Sequence, residues 1–307
     1  MKKMINETHI EGYLYDHSLE LKVSGENSKK PGTQFIQGEI QVATDNECLN
    51  IVSVHYTYVT ATTSKGSADS RWAVLNNIIN GVYGTVMAKG KDSAAKVRID
   101  SAIALNDFYV ERDGQETLVS AKRNEAGFIH VVDALAEDEK VRNTFKTDMI
   151  ITNVRHVDAD EEKNYPEKAI IKGAIFDFRG ALLPVEFTAL NAGAINYFEG
   201  LDASAKEPVI TKVWGRQVSE VVVRKIVEES AFGDASVREV RNSHKDWVIT
   251  GASQEPYTWD DESTITAAEL TKAMSDRETY LAGVKQRRDE YLASRNNSGS
   301  TGGGFNF

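Results

Sequence analysis

The sequence predicts a mainly β protein with some α: two successive copies of one strand order, then a C-terminal helix and a flexible tail. Three observations carry this. Gln34 to Val59 (QFIQGEIQVATDNECLNIVSVHYTYV) and Lys168 to Leu190 (KAIIKGAIFDFRGALLPVEFTAL) share a pattern, in which Ile36-x-Gly38-x-Ile40 aligns with Ile171-x-Gly173-x-Ile175. Val54-His55-Tyr56 aligns with Val185-Glu186-Phe187 if the second connection is about four residues shorter. In both segments apolar residues recur two apart, the period of a strand with one buried face, so each reads as a β-hairpin. Finally, the order strand, hairpin, helix, hairpin occurs once before and once after a charged connector. A glycine at the same place in both hairpins indicates a bend or a close backbone approach there.

Taken in order, Ile10 to Val23 alternates as a first strand, and Gly25 to Thr33 (GENSKKPGT) is a loop dense in breakers. After the first hairpin, Trp72, Leu75, Ile78, Ile79 and Val82 recur at helical spacing. Lys96 to Tyr109 and Glu116 to Lys122 flank ERDGQ, an Asp-Gly turn signal, and Phe128 to Val132 supplies another strand. Glu137 to Lys146 is a charged connector. The second copy runs through Met149 to Val157 as a strand, an acidic loop, the second hairpin, and Ala194 to Leu201 as a short helix-like segment. A β-rich run from Val209 to Val227 then pairs with Val237 to Thr250. Ser263 to Arg295 has the composition of one long helix or two, packed on the body or on a second copy. The tail, Asn296 to Gly304, is a linker by composition and ends in Phe305-Asn306-Phe307. The expected boundaries are 1–136, a connector at 137–147, 148–256, a helical segment at 257–295, and the tail at 296–307.

Composition narrows the function. The chain has 307 residues, 41% hydrophobic and 27% charged, enough for about two domains. No apolar run reaches the length of a membrane span, and MKKMINETHIEG lacks an apolar signal core, so a cytoplasmic protein is expected. Cys48 stands alone, which excludes an internal disulfide and a cysteine zinc cluster. Histidines at 9, 17, 55, 130, 156 and 244 show no metal-ligand spacing. Phosphate loops, dinucleotide fingerprints and nucleophile elbows are missing, so the reading is a non-enzymatic protein with no cofactor and no metal. A net charge of −10 argues against nonspecific duplex binding but leaves room for a locally basic single-strand groove.

The positive signal lies in the strands. Lys212, Trp214 and Arg216 share one face of their strand, and Lys172, Phe176 and Phe178 share the face opposite Ile171, with Arg179 at the turn. Cations interleaved with rings suit a single-stranded nucleic acid, because bases stack on rings while cations meet phosphates. His55, Lys122 and Arg123 form a weaker version in the first half.

Five strands with a short helix between the third and fourth are the signature of the oligonucleotide-binding (OB) barrel. The runs GTQFIQGEIQVAT and EKAIIKGAIFDF look like the second strands of such barrels. With a long second hairpin and an aromatic tail tip, the chain resembles the single-stranded DNA-binding proteins of bacteria and phages, in a phage-like tandem-barrel form. That resemblance implies binding of single-stranded DNA in replication or recombination, across the second and third strands and the long hairpin loops. It points to Lys172, Phe176, Phe178, Arg179, Lys212, Trp214 and Arg216, then His55, Lys122 and Arg123. It also implies recruitment of replication or recombination proteins through Phe305 and Phe307, although GGGFNF carries no adjacent acids. The alternative is a phage structural or assembly protein with the barrels as scaffold and a helix that forms homo-oligomers.

Overall fold

The computed structural model describes residues 4–26, 28–160, 165–228, 236–259 and 264–298, with side chains for all of these except 126, 220–228, 236–244 and 295–298. Its first half closes into a barrel of β1 (Asn6–His17), β3 (Gln34–Ala43), β4 (Ile51–Val59), β5 (Lys96–Arg112) and β6 (Gln115–Val131). β1 pairs with β3 and β5, β3 with β4, β5 with β6, and the ring is completed by a parallel β4–β6 contact. Helix α1 (Ser70–Ile79) and the short α2 (Val86–Lys89) lie between the third and fourth barrel strands. The second half repeats the plan with β7 (Asn143–Val157), β8 (Lys168–Phe176), β9 (Leu182–Ala189), helix α3 (Ala192–Gly200), β10 (Val209–Glu228) and β11 (Ser236–Ala252). Its ring is β7–β8–β9–β11–β10–β7, with β9–β11 parallel. Both circuits have the strand order of an OB barrel.

Several elements depart from the sequence reading. The first strand is two: after β1 the chain turns, and β2 (Glu20–Val23) pairs with β3 as an edge strand. Helix α1 ends at Ile79, leaving Val82 63% exposed rather than on the apolar stripe. β6 runs unbroken through Arg123 to Gly127, because a bulge opposite Asp100–Ala102 keeps the ladder paired across that stretch. The connector forms one 3-10 turn at Glu139–Val141 and then enters β7 at Asn143, six residues before the expected Met149. The Asp-Gly signal holds: Asp113 and Gly114 both have positive φ, 52° and 73°, closing a two-residue turn.

The two hairpin glycines have the close approaches expected of them. A Cβ on Gly173 would lie 2.0 Å from the Ile150 carbonyl oxygen of β7, and one on Gly38 would lie 2.3 Å from that of Ser18. Gly38 also has φ +132°, a conformation that side chains resist. Gly173→Ala has no flexible side chain to push aside, only main chain, so it is expected to cost about 2 to 3 kcal/mol in urea unfolding.

The barrels are joined as one body. β1 pairs with β7 from Asn6↔Thr147 to Ile10↔Asn143. Ile103 and Leu105 of the β5–β6 arm pack into the second barrel's core with Phe145, Ile151 and Phe187. Helix α4 (Ala267–Ser298) continues without interruption past Gly283 and fastens both barrels. Ile265, just before the helix, and Ala273 are buried against Phe176, Leu182 and Ile210, and Leu270 of the first turn packs beside them half-buried. Farther along, Arg277 grips Asp107 of β5 through two bonds of 2.8 and 2.6 Å, and Lys285 and Arg288 pair with Glu116. Among the described residues no helix is long and apolar enough to cross a membrane.

Candidate nucleic-acid interface

The outward residues of β3 and β4 begin the site. Glu39 and His55 are register partners, and their side chains meet at 3.1 Å. Burial lowers the His55 pKa, against the pull of Glu39 and with Arg123 adding to the lowering. The parallel β4–β6 contact, Val54↔Asn124 and His55↔Glu125, sets Arg123 beside His55, where it pairs with Glu125 at 2.6 Å. Asn124 turns to the second barrel and exchanges two amide hydrogen bonds with Gln217, at 2.8 and 3.0 Å. The Gln217 main-chain carbonyl accepts from the side-chain amides of Asn50 and Asn143, so the seam between the barrels is tied by amides.

Lys122 reaches across that seam. Its ammonium lies 4.9 Å from the Phe187 ring and 5.9 Å from that of Trp247, and it donates to the Glu186 main-chain carbonyl. Burial pushes its pKa down to about 8, while Asp246 and Glu186 act in the other direction. On the far side Lys172 pairs with the Glu186 carboxylate at 2.7 Å.

These residues line a continuous depression. A 300 Å³ cavity over Gln37, Gly38 and Thr57 shares Glu39, His55 and Arg123 with a 330 Å³ cavity between the barrels. That cavity, which includes Lys245 and Trp247, shares Lys122 with a 560 Å³ cavity over Lys172, Gly173 and Glu186. The groove therefore crosses the second and third strands of both barrels.

A family model described as YorF matches residues 4–287. The chain belongs to the YorF family. No curated protein sequence matches it. Among solved structures, the wild-type single-stranded DNA binding protein from Thermus aquaticus is 11% identical with a TM-score of 0.44, over 87% of this chain and 98% of that one. A deletion mutant of the Thermus protein gives 10% and 0.45, over 85% and 100%. A replication protein A heterotrimer bound to ssDNA gives 9% and 0.23, over 90% and 70%.

In this YorF-family chain the sequence-predicted residues fall into separate groups. His55, Lys122, Arg123 and Lys172 come together in the groove. Lys212, Trp214 and Arg216 share the outer face of β10, as the alternation requires, but line none of the three cavities. Trp214 is 40% exposed and lies against Gly251, where a Cβ would come within 2.4 Å of the indole. Lys212 is held over the Tyr257 ring, and that hydrogen-bonded partner raises its pKa. Phe178 is 73% exposed at the β8–β9 turn with the Arg179 guanidinium 4.9 Å from its ring.

Phe176 must be corrected. It is fully buried, because the outer side of β8 is covered by Tyr257, Trp259 and the start of α4, so it offers no surface for a base. Phe305 and Phe307 lie outside the described residues. Strand alternation did not identify Phe35 and Tyr58, whose rings meet at 4.6 Å on the outward side of β3 and β4. Parity assigns Tyr58 to the buried side with Tyr56 and Val54, but the irregularity between Ile36 and Gly38 sets two β4 residues opposite one and turns Tyr58 out, 49% exposed. The glycine that marks that bulge is the available sequence signal.

Proposed function

We propose that this protein binds single-stranded DNA without strong sequence preference, covering or presenting it during replication or recombination. The observation that carries the reading is the groove across the second and third strands of two barrels joined through β1–β7 pairing, with His55, Arg123, Lys122, Lys245 and Lys172 along it. These strand faces and their loops are where OB barrels take oligonucleotides. Half-buried Phe35 supports exposed Tyr58 as a stacking platform on the outward side of β3 and β4, and base stacking is tolerant of sequence. A groove cut into an acidic body confines attraction to its own length, which disfavours the wider, stiffer duplex.

The deciding measurement is fluorescence anisotropy with a labelled oligo-dT of about 30 nucleotides, at low and moderate salt beside a duplex control. Salt-sensitive binding that prefers the single strand is expected. No binding at low salt overturns the reading.

A further inference from the structure

Lys122 stands where the two larger cavities of the groove meet, and its surroundings differ from those of its neighbour Lys172. Lys172 has a carboxylate at 2.7 Å. Lys122 has instead a main-chain carbonyl and the faces of Phe187 and Trp247. Glu186 of β9 and Asp246 of β11 attract it as charges, while Lys172 of β8 is occupied by Glu186. Stripping water from an ammonium favours the neutral amine, and burial here leaves the value at about 8. At pH 7 about one such amine in ten is unprotonated, against about one in 2,500 for an ordinary lysine.

A neutral amine held in a groove is a nucleophile toward carbonyl carbon. We propose that Lys122 captures the aldehyde of an abasic deoxyribose, in a single strand lying in the groove, as a reversible imine. This rests on the groove being a single-strand site. The Lys122 nitrogen bonds to C1′ of the ring-opened sugar and passes one N–H proton to the former aldehyde oxygen. That hydroxyl takes up a second proton and leaves as water, the C=N bond forms, and loss of the remaining N–H proton restores the balance, with no change of oxidation state. An abasic position suits the place, because it carries no base that would have to enter the amide-tied seam between Asn124 and Gln217. Asp246, fixed by the Thr188 hydroxyl and the Trp247 main-chain N–H, is a carboxylate that acts on Lys122 and can carry the proton.

The test incubates the full chain with labelled oligo-dT containing one central abasic site, reduces any imine with cyanoborohydride, and maps the adduct by peptide mass spectrometry. The expected adduct lies on Lys122, increases about fivefold from pH 7 to pH 8, is absent with the intact strand, and disappears in Lys122→Arg. Binding of the intact strand by anisotropy without any adduct on the abasic one overturns this proposal alone. So does an adduct that maps to Lys172 or Lys245. If neither strand binds, the proposed function fails and this proposal with it. Mapping on the unsubstituted chain makes the result independent of whether the variant folds.

Discussion

Asp107→Ala is expected to destabilise the protein by about 3 to 5 kcal/mol, the usual cost of removing one partner from a buried ion pair. The Asp107 and Arg277 side chains are 1% and 9% exposed, so the guanidinium left behind has little water to turn to. The Arg277 Nε already lacks a partner among the described residues, which adds to the burden. Urea unfolding of Asp107→Ala, Arg277→Met and the combined Asp107→Leu, Arg277→Met variant separates the causes. The combined variant should regain most of the loss, because it removes both charges together. A loss below about 1 kcal/mol for Asp107→Ala would show that the pair behaves as a surface contact. The effect reaches the groove, because Asp107 also accepts from Ser120 at 2.6 Å, two residues from Lys122 on the same strand. Weaker single-strand binding should therefore accompany the lost stability.

Alternation and glycine placement make most of the barrel plan legible in the sequence. Gly38 and Gly173, read as close approaches from a two-residue coincidence, face main-chain oxygens at 2.3 and 2.0 Å. Local pattern fails where tertiary cover decides. Phe176 and Phe178 have the same parity in the sequence, yet Phe176 ends β8 as core, covered by α4 from more than eighty residues away, while Phe178 falls in the turn beyond the strand and is 73% exposed. Tyr58 is the converse case, an aromatic with buried parity that a bulge turns outward. The groove has a similar origin. His55, Lys122 and Lys172 look like scattered charges along the chain, and only closure of each barrel plus the seam between them brings them into line. The Arg277–Asp107 clamp, 170 residues apart, has no sequence periodicity to announce it.

Replacing Lys122, Arg123 and Lys172 together by Ala should lower the affinity for oligo-dT by up to about 500-fold at 50 mM salt and reduce the logarithmic salt slope by about 2, since each lost phosphate contact on a single strand is worth about 0.7 of slope. The three do not contribute equally. Arg123 and Lys172 already hold carboxylates, Glu125 and Glu186, which a phosphate must displace, whereas among the described residues Lys122 has a main-chain carbonyl and two rings in contact and no carboxylate within ion-pair distance. Lys122 should thus account for the largest single loss, and Glu186→Gln should tighten binding by freeing Lys172. Titration supplies an independent check. Lys122 has its folded value lowered to about 8, so it loses charge as pH rises past 8 and single-strand affinity should fall from pH 7 to pH 9. Folding stability should move the other way. Between about 8 and about 10.5 the unfolded chain binds more protons than the folded one at this position, so the Lys122 contribution to stability rises with pH across that window. Opposite pH trends in binding and in unfolding, both flattened in Lys122→Met, would locate the ammonium in the binding site and its desolvation in the fold. A binding curve that ignores pH while stability still rises would leave Lys122 as a core lysine and move the phosphate path to Arg123 and Lys245.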